Sequence, residues 1–372
     1  MTRPRLFLLA PVLLVAILAA MPMLAQASGS SYIGQFHHNS IIASTVPSNG
    51  DINPYGVAVV QRSVGNLISG DVLVSNFNAK SNLQGTGTTI VQISPGGARH
   101  LFAQINASAL PGSCPGGVGL TTALVVLQRG WVVVGSLPTS NGMASTAKAG
   151  CLIVLDSGGH AVETFSGGVI NGPWDMTASD NNATAALFFT NVLNGTVAAS
   201  PKVVNKQTVV RMVLNVPNQG NGLPSIASTT VIGSGFSART DPAALVIGPT
   251  GVGLGSNGTL YVADSLHNLI EAIPNALSRG GTAHTGNDVT SNGAINDPLG
   301  RTIAPNGDIL TTNGNNGKVV ETTPSGTQIA QKFLDTSGSP PGAGCLFGLA
   351  IVPGGNGVYY VDDCTNTLNV LN

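Results

Sequence analysis

Along the chain, short apolar runs alternate with turns rich in Gly, Asn and Pro, and the same order of pieces keeps returning. A Pro- or Gly-led approach opens a first apolar strand, and a tight turn follows. A second strand then starts at Gly or Ala and ends in a small residue followed by Asn or Asp. The tract from Gly258 to Asn268 shows this second half most clearly. Its siblings run from Gly70 to Asn76, Ala185 to Asn191, Gly307 to Asn313 and Gly357 to Asp362. After the N-terminal stretch, no segment carries helical periodicity. Repeats of roughly 40–50 residues built only from strands predict a propeller or a solenoid.

Aligned on their first strands, the blocks begin near residues 53, 119, 172, 241, 297 and 345. Pro54, Pro173, Pro242 and Pro298 suit strand starts, where no ladder donor is needed. Third strands are expected at 89–94, 152–156, 209–214, 269–273, 318–322 and 368–371. The last block stops after three strands, and 40–46 supplies the missing fourth. The prediction is therefore an all-β, six-bladed β-propeller of four-stranded antiparallel blades spanning 28–372. An N-terminal strand in the last blade closes the ring, which leaves only short, protected edges. The block from Lys202 to Phe236 is long and irregular, so a seventh blade stays open.

The first residues read as an export signal. Arg3 and Arg5 precede the apolar stretch from Leu6 to Ala20, and Ala25 and Ala27 offer a small-residue cleavage site, giving 1–27 as signal peptide. A secreted or periplasmic protein with no membrane span after cleavage follows. Its four cysteines, Cys114, Cys151, Cys345 and Cys364, are then expected to pair. In a four-stranded meander the approach to strand one and the loop between strands two and three share a face. Cys114 and Cys151 occupy those two places in the second blade, and Cys345 and Cys364 in the last. Pairing within each blade is the natural geometry, with cross-blade pairing as the alternative.

Charged residues make up only 8% of the chain and the net charge is −1, so no basic field recruits nucleic acid. The apolar fraction, 42%, is ample for a core.

The Pro-led approach, the Gly turn, and Tyr-Val-Ala-Asp with a following Asn, sharpest between Asp241 and Ile273, resemble the NHL repeat. That resemblance implies a six-bladed propeller with a binding surface on its top face. It leaves the job open, because such propellers bind proteins, bind RNA or catalyse reactions. Propeller lactonases of the gluconolactonase type hold a divalent metal with an early-blade Glu plus Asn and Asp. Here the first glutamate is Glu163, which departs from that pattern.

Asn76, Asn191, Asp264, Asn313 and Asp362 recur blade after blade, as turn-formers do. Residues that break the repeat matter more for a site. Asp175 stands where other blades place Gly, Ala or Thr; Trp174 precedes it, Arg301 follows the same position in blade five, and His267 lies beside Asp264. Asp175 with Arg301 reads as a carboxylate clamp or as an ion pair across the channel. Trp174, Tyr55 and Phe347 would add aromatic walls. Asp175, Asp264 and Asn313 offer oxygen ligands for Ca²⁺ or another divalent ion. His37 and His38 point to opposite faces of a strand, and no Cys or His spacing suggests zinc. The run from Gly253 to Gly258 matches a dinucleotide Gly pattern but has no helix after it, and so is a turn.

The sequence thus predicts an exported binding or scaffold protein, taking a protein or small molecule on its top face. The alternative is a divalent-metal-dependent hydrolase or lyase with its site at the channel mouth.

Overall fold

A computed structural model describes residues 30–372 together with Met1, and Ser31–Asn372 forms one compact unit. The expected signal peptide lies outside the described residues. Six antiparallel sheets follow one another around a central axis. The innermost strands are Ile52–Val59, Leu120–Val126, Pro173–Asp180, Pro249–Leu254, Pro298–Ile303 and Leu346–Ile351. Each touches the innermost strand of the next blade, and the sixth touches the first.

Blade six is completed by Asn39–Ser44, which pairs with Thr367–Leu371 in register from Asn39 opposite Leu371 to Ser44 opposite Thr367. Joining the chain ends within one sheet removes the open edges that a linear array of blades would leave. The disulfides fall within blades, as the meander requires: Cys114–Cys151 with Cα atoms 5.2 Å apart, and Cys345–Cys364 at 5.0 Å. Among the described residues, no helix is long and apolar enough to cross a membrane.

The block from Lys202 to Phe236 forms no seventh blade. It lengthens blade three, whose outer strands Val204–Asn215 and Ser225–Asp241 pair with each other beyond the usual blade length. This also corrects the start of blade four. Asp241-Pro242 looks like the other approaches, but it is a tight turn: the Asp241 Oδ1 accepts the N–H groups of Ala243 and Ala244. Leu245–Ile247 then folds back on the end of Ser225–Asp241 as a fifth strand of blade three. The first strand of blade four begins at Pro249. Local Asp-Pro chemistry is the same in both settings, and only the pairing of the chain with its neighbours tells them apart.

The small residue before the recurring Asn or Asp has a structural purpose. Ser75 Oγ accepts the Gly56 N–H at 3.0 Å and donates to the Thr121 carbonyl of the next blade at 2.8 Å. Thr190 Oγ1 does the same between the Asp175 N–H and the Thr250 carbonyl. Thr312 Oγ1 links the Gly300 N–H to the Phe347 carbonyl at 2.7 Å. A hydroxyl that accepts within its own blade and donates to the next satisfies buried backbone groups on both sides.

Glycine on the innermost strand sets how close the blades come. A Cβ on Gly251, Gly300 or Gly348 would lie 2.1, 2.0 or 2.3 Å from the carbonyl oxygen of Leu299, Phe347 or Tyr55 in the adjoining blade. Aligned on the corrected blade four, this layer reads Gly56, Thr122, Asp175, Gly251, Gly300 and Gly348. Thr122 and Asp175 are its exceptions.

Candidate functional site

The inner strands divide the axis into two compartments. Tyr55, Trp174 and Phe347 stand near the start of their strands and are buried to within 8% of full coverage. Tyr55 is sandwiched between Phe347, with centroids 3.8 Å apart, and Phe77 at 4.5 Å; Trp174 meets it edge-on at 5.8 Å. Tyr55, Trp174 and Phe347 form a floor beneath a cavity of about 650 Å³ on the top face, the face of the strand approaches and of the turns between second and third strands. A second cavity of about 330 Å³ lies on the other side of the floor, lined by residues further along the same strands, Asp175 and Arg301 among them. The cavities share no lining residue.

The five expected binding residues are therefore split. Tyr55, Trp174 and Phe347 serve the top cavity, and Asp175 and Arg301 the lower one. Nor do Asp175 and Arg301 make an ion pair: the ion pairs among the described residues are Arg239–Asp241, His160–Asp156 and His267–Asp264. Asp175 instead accepts the Val252 N–H through Oδ2 at 2.8 Å. Burial pushes its carboxyl up to about 7, partly opposed by backbone donors and the Arg301 charge.

The top cavity carries three carboxylates that no break in the repeat marks as a site: Asp241, Asp297 and Asp363. Asp363 sits beside the Cys364 disulfide, one residue beyond the recurring Asp362. With the Asn53 amide turned so that its nitrogen faces Asp363, that nitrogen donates at 2.8 and 3.1 Å to the two carboxylate oxygens. The Asn53 oxygen accepts from Asn78 Nδ2, which also donates to Asn82 Oδ1 at 2.7 Å, so an amide chain runs along one wall. Burial first, and Asp362 second, raise Asp363 to about 7. Asp297 rises to about 6, through burial and then the nearby Asp241. For Asp241, burial is outweighed by the N–H donors of Ala244 and Ala243 and by Arg239, whose Nη1 lies 2.9 Å away, and its carboxyl is held below the usual value.

Backbone strain collects here as well. Asn53, directly before Pro54 near the start of Ile52–Val59, and Asp297, directly before the Pro298 that opens its strand, have φ of 63° and 56°. Left-handed conformations at non-glycine residues are uncommon, persist where surroundings over-determine them, and cluster at functional sites. Gly314 makes the room: a Cβ there would lie 2.3 Å from Asp297 Oδ2. A signal for these residues was present, since Asn53 and Asp297 precede the prolines used for alignment. Nothing in the sequence, however, shows which approach residues converge on one cavity.

The expected oxygen ligands serve separate purposes. Asp264 receives the His267 N–H at Oδ1 and the His267 ring Nδ1 at Oδ2, 2.7 Å away. Asn313 donates to the Ala294 carbonyl and accepts the Asn296 N–H. Neither lines a cavity with Asp175, because the end of a second strand stands about one strand spacing, ~4.8 Å, farther from the axis. His267 does not line the top cavity either, although Ser265, Leu266 and Asn268 do. Among the described residues, one group gathers four donor atoms within 4.8 Å: Asp335, Cys345, Asp362 and Cys364. Two of these are disulfide sulfurs, which lack the thiolate charge that binds metal, and only two carboxylates remain. No metal centre is assembled from these residues.

No protein-family profile matches the sequence, and no curated protein matches it. Solved structures do match the fold. A gluconolactonase from Xanthomonas campestris, XC5397, aligns with a TM-score of 0.52 at 15% identity, covering 88% of each chain. A virginiamycin B lyase from Staphylococcus aureus, in complex with quinupristin, gives 0.51 at 14% identity over 90% of this chain and 99% of its own. A calcium-binding regucalcin from Agrobacterium tumefaciens gives 0.51 at 11%, over 89% and 94%. The chain is thus similar in fold to six-bladed propellers that include lactonases and lyases.

Proposed function

We propose that the protein is a hydrolase or lyase acting on a small cyclic ester or similar ring compound in the top cavity. The observation that carries this reading is the pairing of an aromatic floor with two carboxyl groups, Asp297 and Asp363, that titrate near neutrality. Groups whose pKa lies near the working pH are suited to give and take protons in the same reaction. Asp297, ionised at neutral pH, takes a proton from water or from a carbon acid. Asp363, half protonated, gives one to the departing oxygen. Tyr55, Trp174 and Phe347 offer a flat apolar seat for the ring, and the Asn53, Asn78 and Asn82 wall offers hydrogen bonds to its substituents.

The structural likeness to a gluconolactonase and to a virginiamycin B lyase supports this reading over that of a scaffold. The NHL-like repeat, an exported location and the pairing of both disulfides in an oxidising compartment belong to the same proposal. The test is hydrolysis of a panel of aldonolactones and aryl lactones at pH 7, with and without Ca²⁺ or Mn²⁺. Turnover is expected, lowered by about a hundredfold in Asp363→Asn. If no panel member turns over under any condition but one binds saturably, the enzyme reading fails and a top-face binding protein stands in its place.

A further inference from the structure

The lower cavity holds a group that the protein itself leaves unanswered. Arg301 is 5% exposed, and its Nε, Nη1 and Nη2 all lack a hydrogen-bond partner. A buried guanidinium without an acceptor is costly, and proteins rarely tolerate one without reason. Its position is a built one. Its chain lies against blade four where Gly253 has no side chain; a Cβ there would sit 3.1 Å from Arg301 Cγ. A second unpartnered group faces the same space, the hydroxyl of Thr122, which is 6% exposed. Thr122 and Asp175 are the two places where the inner layer departs from glycine, and both line this cavity with Arg301.

Leu124, Met176, Val252 and Leu349 give the cavity an apolar wall, beside the polar Thr177, Thr302 and Gln61. Towards the lower face the cavity runs out to Ala178, Thr302 and Ile351, half-exposed residues at the ends of their strands, and to the exposed Gln61. A ligand therefore has a route in that does not cross the aromatic floor.

We propose that this lower cavity binds a small organic carboxylate, its head on the Arg301 guanidinium with the Thr122 hydroxyl donating alongside, and its body against the apolar wall. A planar guanidinium matches a carboxylate through two parallel N–H donors, which explains why an arginine is suited to the place. Asp175 lines the cavity with Arg301, and the buried Glu271, outside the lining, also feels the guanidinium charge; carboxyls this near favour a singly charged anion over phosphate. The volume sits at the small end for ligand pockets and asks for a compact molecule. This site is separate from the top cavity and does not rest on the reaction proposed there.

Isothermal titration of the full chain with sodium benzoate and sodium hexanoate tests it. Saturable one-site binding of at least one of them is expected, weakened by about tenfold or more in Arg301→Met and severalfold in Thr122→Val. In Asp175→Asn, which removes a facing negative charge, binding is expected to tighten. If Arg301→Met does not fold by circular dichroism, the Thr122→Val and Asp175→Asn titrations decide in its place. Absence of saturable binding in the wild type overturns the proposal, and so does binding that none of the variants changes.

Discussion

The Tyr55 ring of the first blade stacks on the Phe347 ring of the last, centroids 3.8 Å apart and planes 22° from parallel. The contact joins the two blades that meet where the ring closes, and it floors the top cavity. Removing it affects closure and site together. Phe347→Ala is expected to cost about 3–4 kcal/mol, and Phe347→Leu less than about 1.5 kcal/mol, because leucine refills most of the volume. Urea unfolding of the two variants checks the ordering. Equal costs would mean that the aromatic stack itself, rather than the volume that leucine restores, holds the closure together.

Blade spacing makes a second prediction. Gly300 does not have a left-handed backbone, yet a Cβ there would meet the Phe347 carbonyl at 2.0 Å. That carbonyl also accepts the Thr312 hydroxyl. Gly300→Ala must therefore push blades five and six apart, with an expected loss of about 2–4 kcal/mol. Gly307→Ala, in an exposed turn with open space around the Cβ, suffers only the left-handed backbone penalty of about 1 kcal/mol. Thermal denaturation of both variants tests whether packing between blades, rather than glycine flexibility, dominates.

The disulfides differ in what they hold. Cys345–Cys364 closes a loop of 19 residues in the blade that seals the ring, and Cys114–Cys151 closes 37 residues within blade two. Chain-entropy arguments assign about 3 and about 4 kcal/mol to them, so the longer loop is expected to matter slightly more for equilibrium stability. Paired Cys→Ala variants followed by guanidinium denaturation measure both losses.

Stability should also fall with rising pH because of the top cavity. The folded-state values of Asp297 and Asp363, about 6 and about 7, lie above the ordinary value near ~4. A raised carboxyl favours the folded state while protonated, and that contribution is lost as pH climbs through the folded value. Asp363→Asn keeps the neutral form, with an oxygen still able to accept from Asn53. It is expected to match the wild type near pH 4 and to exceed it by about 1 kcal/mol at pH 8, a figure reduced for the group's partial exposure. Melting temperatures across that range check the slope. A variant that gains stability while losing turnover marks Asp363 as a functional carboxylate rather than a structural one.

Much of this was legible in the chain. Strand alternation, turn residues and the repeat period are local properties, and they carried the six-bladed plan, the closing strand near residues 40–46 and the within-blade placement of the cysteines. Local chemistry misled at Asp241-Pro242, where a turn inside blade three copies the letters of a blade start. Of the recurring residues, Asp264 and Asp362 accept backbone N–H groups three residues on, as turn-formers do, whereas Asn76, Asn191 and Asn313 donate to the carbonyls of Thr45, Val169 and Ala294 in distant approach segments. What the sequence could not reveal is convergence. Asn53, Asp297 and Asp363 come from three blades, and whether they share one cavity depends on how six sheets are arranged about the axis. The same holds for Asp175 and Arg301: the letters show two exceptions to the repeat, but only the fold places the aromatic floor between them and the top face. Periodicity is written residue by residue; distance across an axis is decided by packing.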